Sequence, residues 1–302
     1  MSLRAAGLEV TRILAGERAT ENSKYIKDGN TAWIPKGFTV SGISTEQSIE
    51  NGLVIYDIPE GTTVDWSNPD SVKTKYNQFV WIPTTVFEVS TDYNGSIYKD
   101  LNGNCDEETG IADQIEELKE SIYKYGGFYI GRYEAGTSTP RTSSSSQTEE
   151  FVVQQDKYPY ETKWGETISD VSEGPVYLCN NLYSSTNTNY GATSMLCTGT
   201  SWDSMLDFIK DSTHSLTNAL AWGNYSKSEA YKVYRGSLYS NSTWSVADTT
   251  NGSEVTKGKS ILLTTGATER NSSKNIYDVA GNLDEWTTAS NGHSCRAVRG
   301  RC

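Results

Sequence analysis

A chain of 302 residues with 35% apolar and 21% charged side chains can bury a core, which excludes wholesale disorder. Its formal net charge of -12, with no clustering of Lys and Arg, excludes a duplex DNA binder and argues against a site on an anionic membrane surface. No apolar run approaches the roughly 20 residues of a membrane-spanning helix.

Residues 1–30 are weakly patterned. Leu3, Val10 and Leu14 fall on one helical face, but Gly7 and Gly16 interrupt it. The start, Met1 to Gly7, has no signal-peptide core. From Trp33 the pattern changes to strands. Trp33-Ile-Pro-Lys-Gly-Phe38, Gly52-Leu-Val-Ile-Tyr56 and Phe79-Val-Trp-Ile-Pro83 are β-branched and aromatic runs bounded by Gly, Pro and Asn. Two of them reach Trp-Ile-Pro, and proline ends ladder donation. A polar loop follows. Asp100, Asn102, Asn104 and Asp106 are spaced like the start of a calcium loop, but Cys105 replaces its glycine and Ile111 its closing Glu. The spacing of Ile111, Ile115, Leu118 and Ile122 predicts a helix over 111–125, stopped by Gly126-Gly127, with a strand at Phe128–Glu134 beyond. A second helix is expected near Thr200. Thr200 and Asp203 have capping-box spacing, and Trp202, Met205, Leu206 and Ile209 share a face. Residues 212–258 are expected to be long loops and short strands.

The five cysteines, Cys105, Cys179, Cys197, Cys295 and Cys302, form no C-x-x-C pair, so a zinc or thioredoxin-like reading has no support. Buried free thiols are the expected state, with a Cys179–Cys197 bridge as the alternative in an oxidising compartment. His214 and His293 are the only histidines, and neither has a metal-ligand spacing.

Four segments in order carry a resemblance. They are Tyr125-Gly-Gly-Phe-Tyr-Ile-Gly-Arg-Tyr-Glu-Ala-Gly136, Leu196-Cys-Thr-Gly-Thr-Ser-Trp202, Asn275-Ile-Tyr-Asp-Val-Ala-Gly-Asn-Leu-Asp-Glu-Trp-Thr287 and Arg296-Ala-Val-Arg-Gly300. Together they resemble the sulfatase-modifying, formylglycine-generating-enzyme family, a variant of the C-type lectin fold. The resemblance covers roughly residues 111–302. It implies an α+β fold, C-type-lectin-like, with an N-terminal β-rich module. The division expected is a weakly structured lead over 1–30, the β-rich module over 31–110 and the lectin-like domain over 111–302, lacking its last strands. It also implies that Trp202, Asn282, Glu285, Trp286, Arg296 and Arg299 hold the fold. Asn282 and Glu285 are candidate calcium ligands; alternatively Asn282 makes a tight turn and Glu285 pairs with an arginine such as Arg299.

Two departures bear on function. Asp284 stands where the family has Trp, and no spaced cysteine pair follows Gly300 to hold copper, which needs paired soft thiolates. The expectation is therefore a non-catalytic protein with no required cofactor. It would recognise a surface protein or glycan, as diversified phage and bacterial surface proteins of this fold do, at the cell surface, outside the cell or on a virion. Trp222, Tyr225, Tyr239 and Trp244 are the candidate ligand contacts, because aromatic and amide side chains give adaptable contacts at low entropic cost; local core is the competing role for the tryptophans. The alternative is a C-terminally shortened formylglycine-generating oxidase, and a minor third reading is a pilin-like or virion subunit.

Overall fold

The structure, a computed structural model, describes residues 11–85, 109–140, 151–162, 174–211, 213–259, 261–290 and 296–300, with backbone alone for 109–115, 289–290 and 296–297. The calcium-loop spacing at 100–106, Cys105, His293, Cys295 and Cys302 lie outside these residues. The described chain is a mixed α+β structure of several small antiparallel sheets and four helices.

Strands β1 (Ser23–Lys27) and β2 (Asn30–Ile34) form a hairpin, and β2 ends before Pro35. The helical face expected from Leu3, Val10 and Leu14 does not extend into the described residues. Arg12 bridges to Lys24, residues 23–27 are strand, and Leu14 is exposed. Strands β3 (Thr39–Val40), β4 (Val54–Tyr56), β5 (Gln78–Pro83) and β6 (Gly127–Gly131) then make a four-stranded antiparallel sheet in sequential order. A short helix, α1 (Pro69–Lys73), precedes β5, and α2 (Thr109–Tyr125) precedes β6. Gly126 ends α2 at φ 79, a left-handed position that suits glycine.

Strand alternation decides what each face of this sheet buries. Val54, Tyr56, Val80, Ile82 and Phe128 point to one side, against Val72 of α1, Leu118 and Ile122 of α2, and Trp202, Met205 and Ile209 of α4 (Gly199–Ile209). Ile55 and Trp81 point to the other, against Tyr25, Ala32 and Ile34 of the first hairpin. The sheet and both cores are thus built jointly by residues before 86 and after 115.

The remaining strands are short. The pair β7 (Gly136–Thr137) and β8 (Tyr158–Pro159) is followed by α3 (Pro175–Leu182), which has proline at its start, where the missing N–H costs nothing. Helix α4 begins earlier than expected. Thr198, not Thr200, is its cap, with Oγ1 accepting from Ser201 N at 2.9 Å. Asp203 is instead taken up by Arg299, whose Nη1 lies 3.5 Å from its Oδ1. Then come β9 (Tyr231–Val233), β10 (Ser237–Ser240), β11 (Thr243–Val246), β12 (Ser253–Val255) and β13 (Leu262–Leu263) around a small core of Val233, Leu238, Val255 and Leu263. Strands β14 (Ser272–Ser273) and β15 (Ile276–Tyr277) pair, as do β16 (Glu285–Ser290) and β17 (Arg296–Arg299). Among the described residues no helix is long and apolar enough to cross a membrane.

Candidate functional sites

The four aromatic residues expected at a ligand site are not together. Trp222 belongs to the main core, 5% exposed, with Nε1 donating to the Ser215 carbonyl at 3.1 Å. Its ring meets His214 edge-on, centroids 5.4 Å apart. Both its apolar and polar surfaces are used internally, so it corrects to a core residue. Tyr225 is half-buried and packs against the same core.

Tyr239 and Trp244 do meet. They are cross-strand partners on the hairpin β10–β11, with ring centroids 5.3 Å apart. Tyr158 of β8 extends the group, its ring 4.9 Å from that of Trp244. Tyr239 is 40% exposed, and the other two rings are half-buried. The hairpin turns through two residues, Asn241 and Ser242, both at positive φ (50 and 61), the geometry whose twist matches the flanking strands. The result is an aromatic surface built by the hairpin β10–β11 and by β8. Tyr158 was not singled out from sequence, because its neighbours in space lie over 80 positions away.

The segment Asp278–Glu285 forms a second, buried centre. Asn282 sits in a left-handed turn at φ 75, beside Gly281 at φ 94. Its Nδ2 donates to Glu134 Oε2 at 2.6 Å and to the Leu263 carbonyl at 3.2 Å. Its Oδ1 accepts from Leu263 N at 2.8 Å and from Asn224 Nδ2 at 3.0 Å. Glu134 also accepts from Leu283 N at 3.1 Å. The Asn282 oxygen, which a calcium site would need, already receives two N–H groups. Among the described residues no three His, Cys, Asp or Glu side chains are grouped to hold a metal. These residues do not fit calcium, and the tight-turn alternative for Asn282 describes what is found.

Glu285 does not take the arginine partner expected of it. Its carboxyl lies against that of Glu134, while Arg299, its register partner across β16–β17, reaches Asp203. Burial, then the nearby carboxylates, push Glu134 and Glu285 well above the usual range; burial also raises Asp278 to about 6, although Gly266 N donates to it at 2.7 Å. Gly300, at φ 88, packs on this carboxyl so closely that a Cβ there would stand 2.1 Å from Glu285 Oε2. Trp286 Nε1 donates to the Thr162 carbonyl at 3.0 Å. Trp202 is 7% exposed in the main core. Arg296 lies in β17, with only its backbone described. Asp284 is exposed.

Along β6, the edge strand of the four-stranded sheet, runs a cavity of about 860 Å³. Its wall includes Glu134 and Glu285, the aromatic rings of Tyr160, Trp202 and Trp286, and both described thiols, Cys179 and Cys197. Those thiols are free, the expected state, and burial pushes each up to about 12. They are therefore thiols rather than thiolates at neutral pH, and poor nucleophiles. Sequence reading overlooked Glu134 and Asp278 as a group; the available signal was a single carboxylate between apolar neighbours, in Tyr133-Glu-Ala135 and Tyr277-Asp-Val279. No family model, curated protein or solved structure matches this chain.

Proposed function

We propose that this is a non-catalytic recognition protein of the C-type-lectin-like, formylglycine-generating-enzyme type, binding a surface protein or glycan through the aromatic surface of Tyr158, Tyr239 and Trp244. The observation that carries the reading is that three rings stand in one continuous group, with Tyr239 exposed, on the hairpin β10–β11 and the neighbouring strand β8. Rigid aromatic side chains supply contact area without losing much freedom on binding, which suits recognition. The family assignment draws support from the helix that follows Leu196, the left-handed turn at Asn282 and the pairing of β16 with β17. On this proposal the protein works outside the cell, on a cell surface or on a virion.

The test compares wild type with the Tyr239→Ala/Trp244→Ala double variant on a glycan microarray and on fixed bacterial cells. Loss of an aromatic anchor costs about 2 kcal/mol of binding, roughly 30-fold in affinity. Equal retention of both proteins on every surface would sink the reading.

A further inference from the structure

The cavity along β6 is independent of the aromatic surface on β10–β11, and its wall has a chemical bias. Carboxylates enter it from three elements: Glu117 and Glu120 from α2, Glu134 beyond β6, and Asp284 with Glu285 at the start of β16. The cationic side chain in the described lining is Lys124; no Arg or His contributes. The rest is mainly aromatic and aliphatic. A cleft with low-dielectric walls and one sign of charge concentrates ions of the other sign, and aromatic faces attract organic cations.

At the carboxyl pair the hydrogen bonding is incomplete. Glu134, 8% exposed, has both oxygens engaged, by Asn282 Nδ2 and Leu283 N. Glu285 is half-buried as a residue and its carboxyl hydrogen-bonds to that of Glu134, yet its buried Oε2 has no hydrogen-bond partner within ordinary geometry among the described residues. Two adjacent carboxyls withdrawn from water cannot both be ionised unless a positive charge accompanies them. Asn282, Leu283 and Gly300, the uncharged neighbours of the pair, supply none.

We propose that this cavity is a binding site for a small organic cation, an ammonium carried on an apolar body, whose charged head pairs with Glu134 and Glu285 and whose body lies against Tyr160, Trp202 and Trp286. The volume is that of sites for drug-sized ligands. The charged and titratable groups around the pair are Asp278 beyond β15, Cys197 before α4, Asp203 on α4 and Arg299 on β17. Arg299 reaches Asp203, so among the described groups around the pair the carboxyls outnumber the cations. Binding the cation drives a proton off the pair, and affinity therefore rises with pH as long as the ligand stays protonated.

The experiment is calorimetric titration of the full chain with 2-phenylethylammonium chloride and, separately, with 2-phenylethanol, which has the same body without the charge. The ammonium should bind at least about tenfold more tightly than the alcohol, more tightly at about pH 8 than at about pH 5, and with proton release. Glu285→Gln should remove the preference, while Trp244→Ala should leave it intact. Equal affinity for the two probes, no binding of the ammonium at millimolar concentration, or an unchanged preference in Glu285→Gln would each overturn the proposal. The first two need no variant to fold, and none depends on the aromatic surface of β10–β11.

Discussion

Two buried charge centres of opposite character govern stability at the scale of single residues. Arg132 is fully buried, its Nη1 donating to Glu46 Oε1 at 2.7 Å and to Gln78 Oε1 at 3.1 Å. Glu46 also receives Ser41 Oγ at 2.7 Å, the Tyr56 hydroxyl at 2.8 Å and Lys73 Nζ at 3.1 Å. Burial alone would raise Glu46, but Arg132, Lys73 and the two hydroxyls outweigh it and hold it below the ordinary carboxylate value. Its contribution is present above the unfolded-state value and is lost as pH falls through the lower folded one. The centre around Glu134, Asp278 and Glu285 behaves oppositely. Asp278, raised to about 6, keeps a proton in the folded state that the unfolded chain has released, so stability falls as pH rises from about 4 to about 6. A melting-temperature profile should therefore peak near about pH 4, and Glu285→Gln should raise the neutral limb by about 1 kcal/mol or more. A flat profile from about pH 5 to 8 would contradict this. Arg132→Met, which leaves Glu46 with Lys73 as its one described cationic partner, should lower stability by about 3 kcal/mol in urea unfolding.

Among the elements, those with a short-range signal were legible in the sequence, and those set by distant contacts were not. Helix α2 follows from its apolar period and its glycine stop, and β4 and β5 follow from their aromatic and β-branched runs. The start of α4 was displaced by two residues because Thr198 and Thr200 are equally good caps locally; both are buried, and the hydrogen bonds of Thr198 Oγ1 with the N and Oγ of Ser201 decide between them. Thr198→Ala should therefore destabilise by about 1–2 kcal/mol, whereas Thr200→Ala, whose hydroxyl has no partner among the described residues, should cost less than about 0.5 kcal/mol in thermal melts. The composition of residues 212–258 pointed to Tyr239 and Trp244 but could not separate them from Trp222, because composition does not show which aromatic side chains the core takes. Strand pairing exposes the first two and the core takes the third. The same hairpin offers a control on its turn. Ser242→Gly should stabilise by about 0.5–1 kcal/mol, since a left-handed residue with a side chain costs roughly that much; a destabilised Ser242→Gly would mean the Ser242 side chain has a stabilising role.

At the scale of the whole molecule, β5 is an internal strand with β4 on one side and β6 on the other. Arg132 fastens the same junction, since its Nη2 also donates to Asn275 Oδ1 at 3.2 Å and Asn275 Nδ2 donates to the Gly52 carbonyl at 2.8 Å. The family resemblance begins near residue 111 and so divides the chain there, but it cannot show that a strand on one side pairs with a strand on the other. A fragment of residues 111–302 should accordingly give no dispersed amide spectrum and no cooperative melt by itself, because it leaves Phe128 and Ile122 without Val54, Val80 and Ile82. A cooperative transition in that fragment would show that the carboxyl-terminal part folds independently.

The pairing of β5 with β6 also sets an order of events during synthesis. The ribosome releases Phe79–Pro83 well before Gly127–Gly131, and Asn275 emerges later still. At about 5–20 residues per second, the nascent chain waits some seconds for its neighbouring strand and tens of seconds for the last contact to Arg132. Until Gly127–Gly131 emerges, an aromatic strand has one open edge, available to any other growing chain. Translation speed across residues 84–131 should therefore influence soluble yield more than codon changes elsewhere.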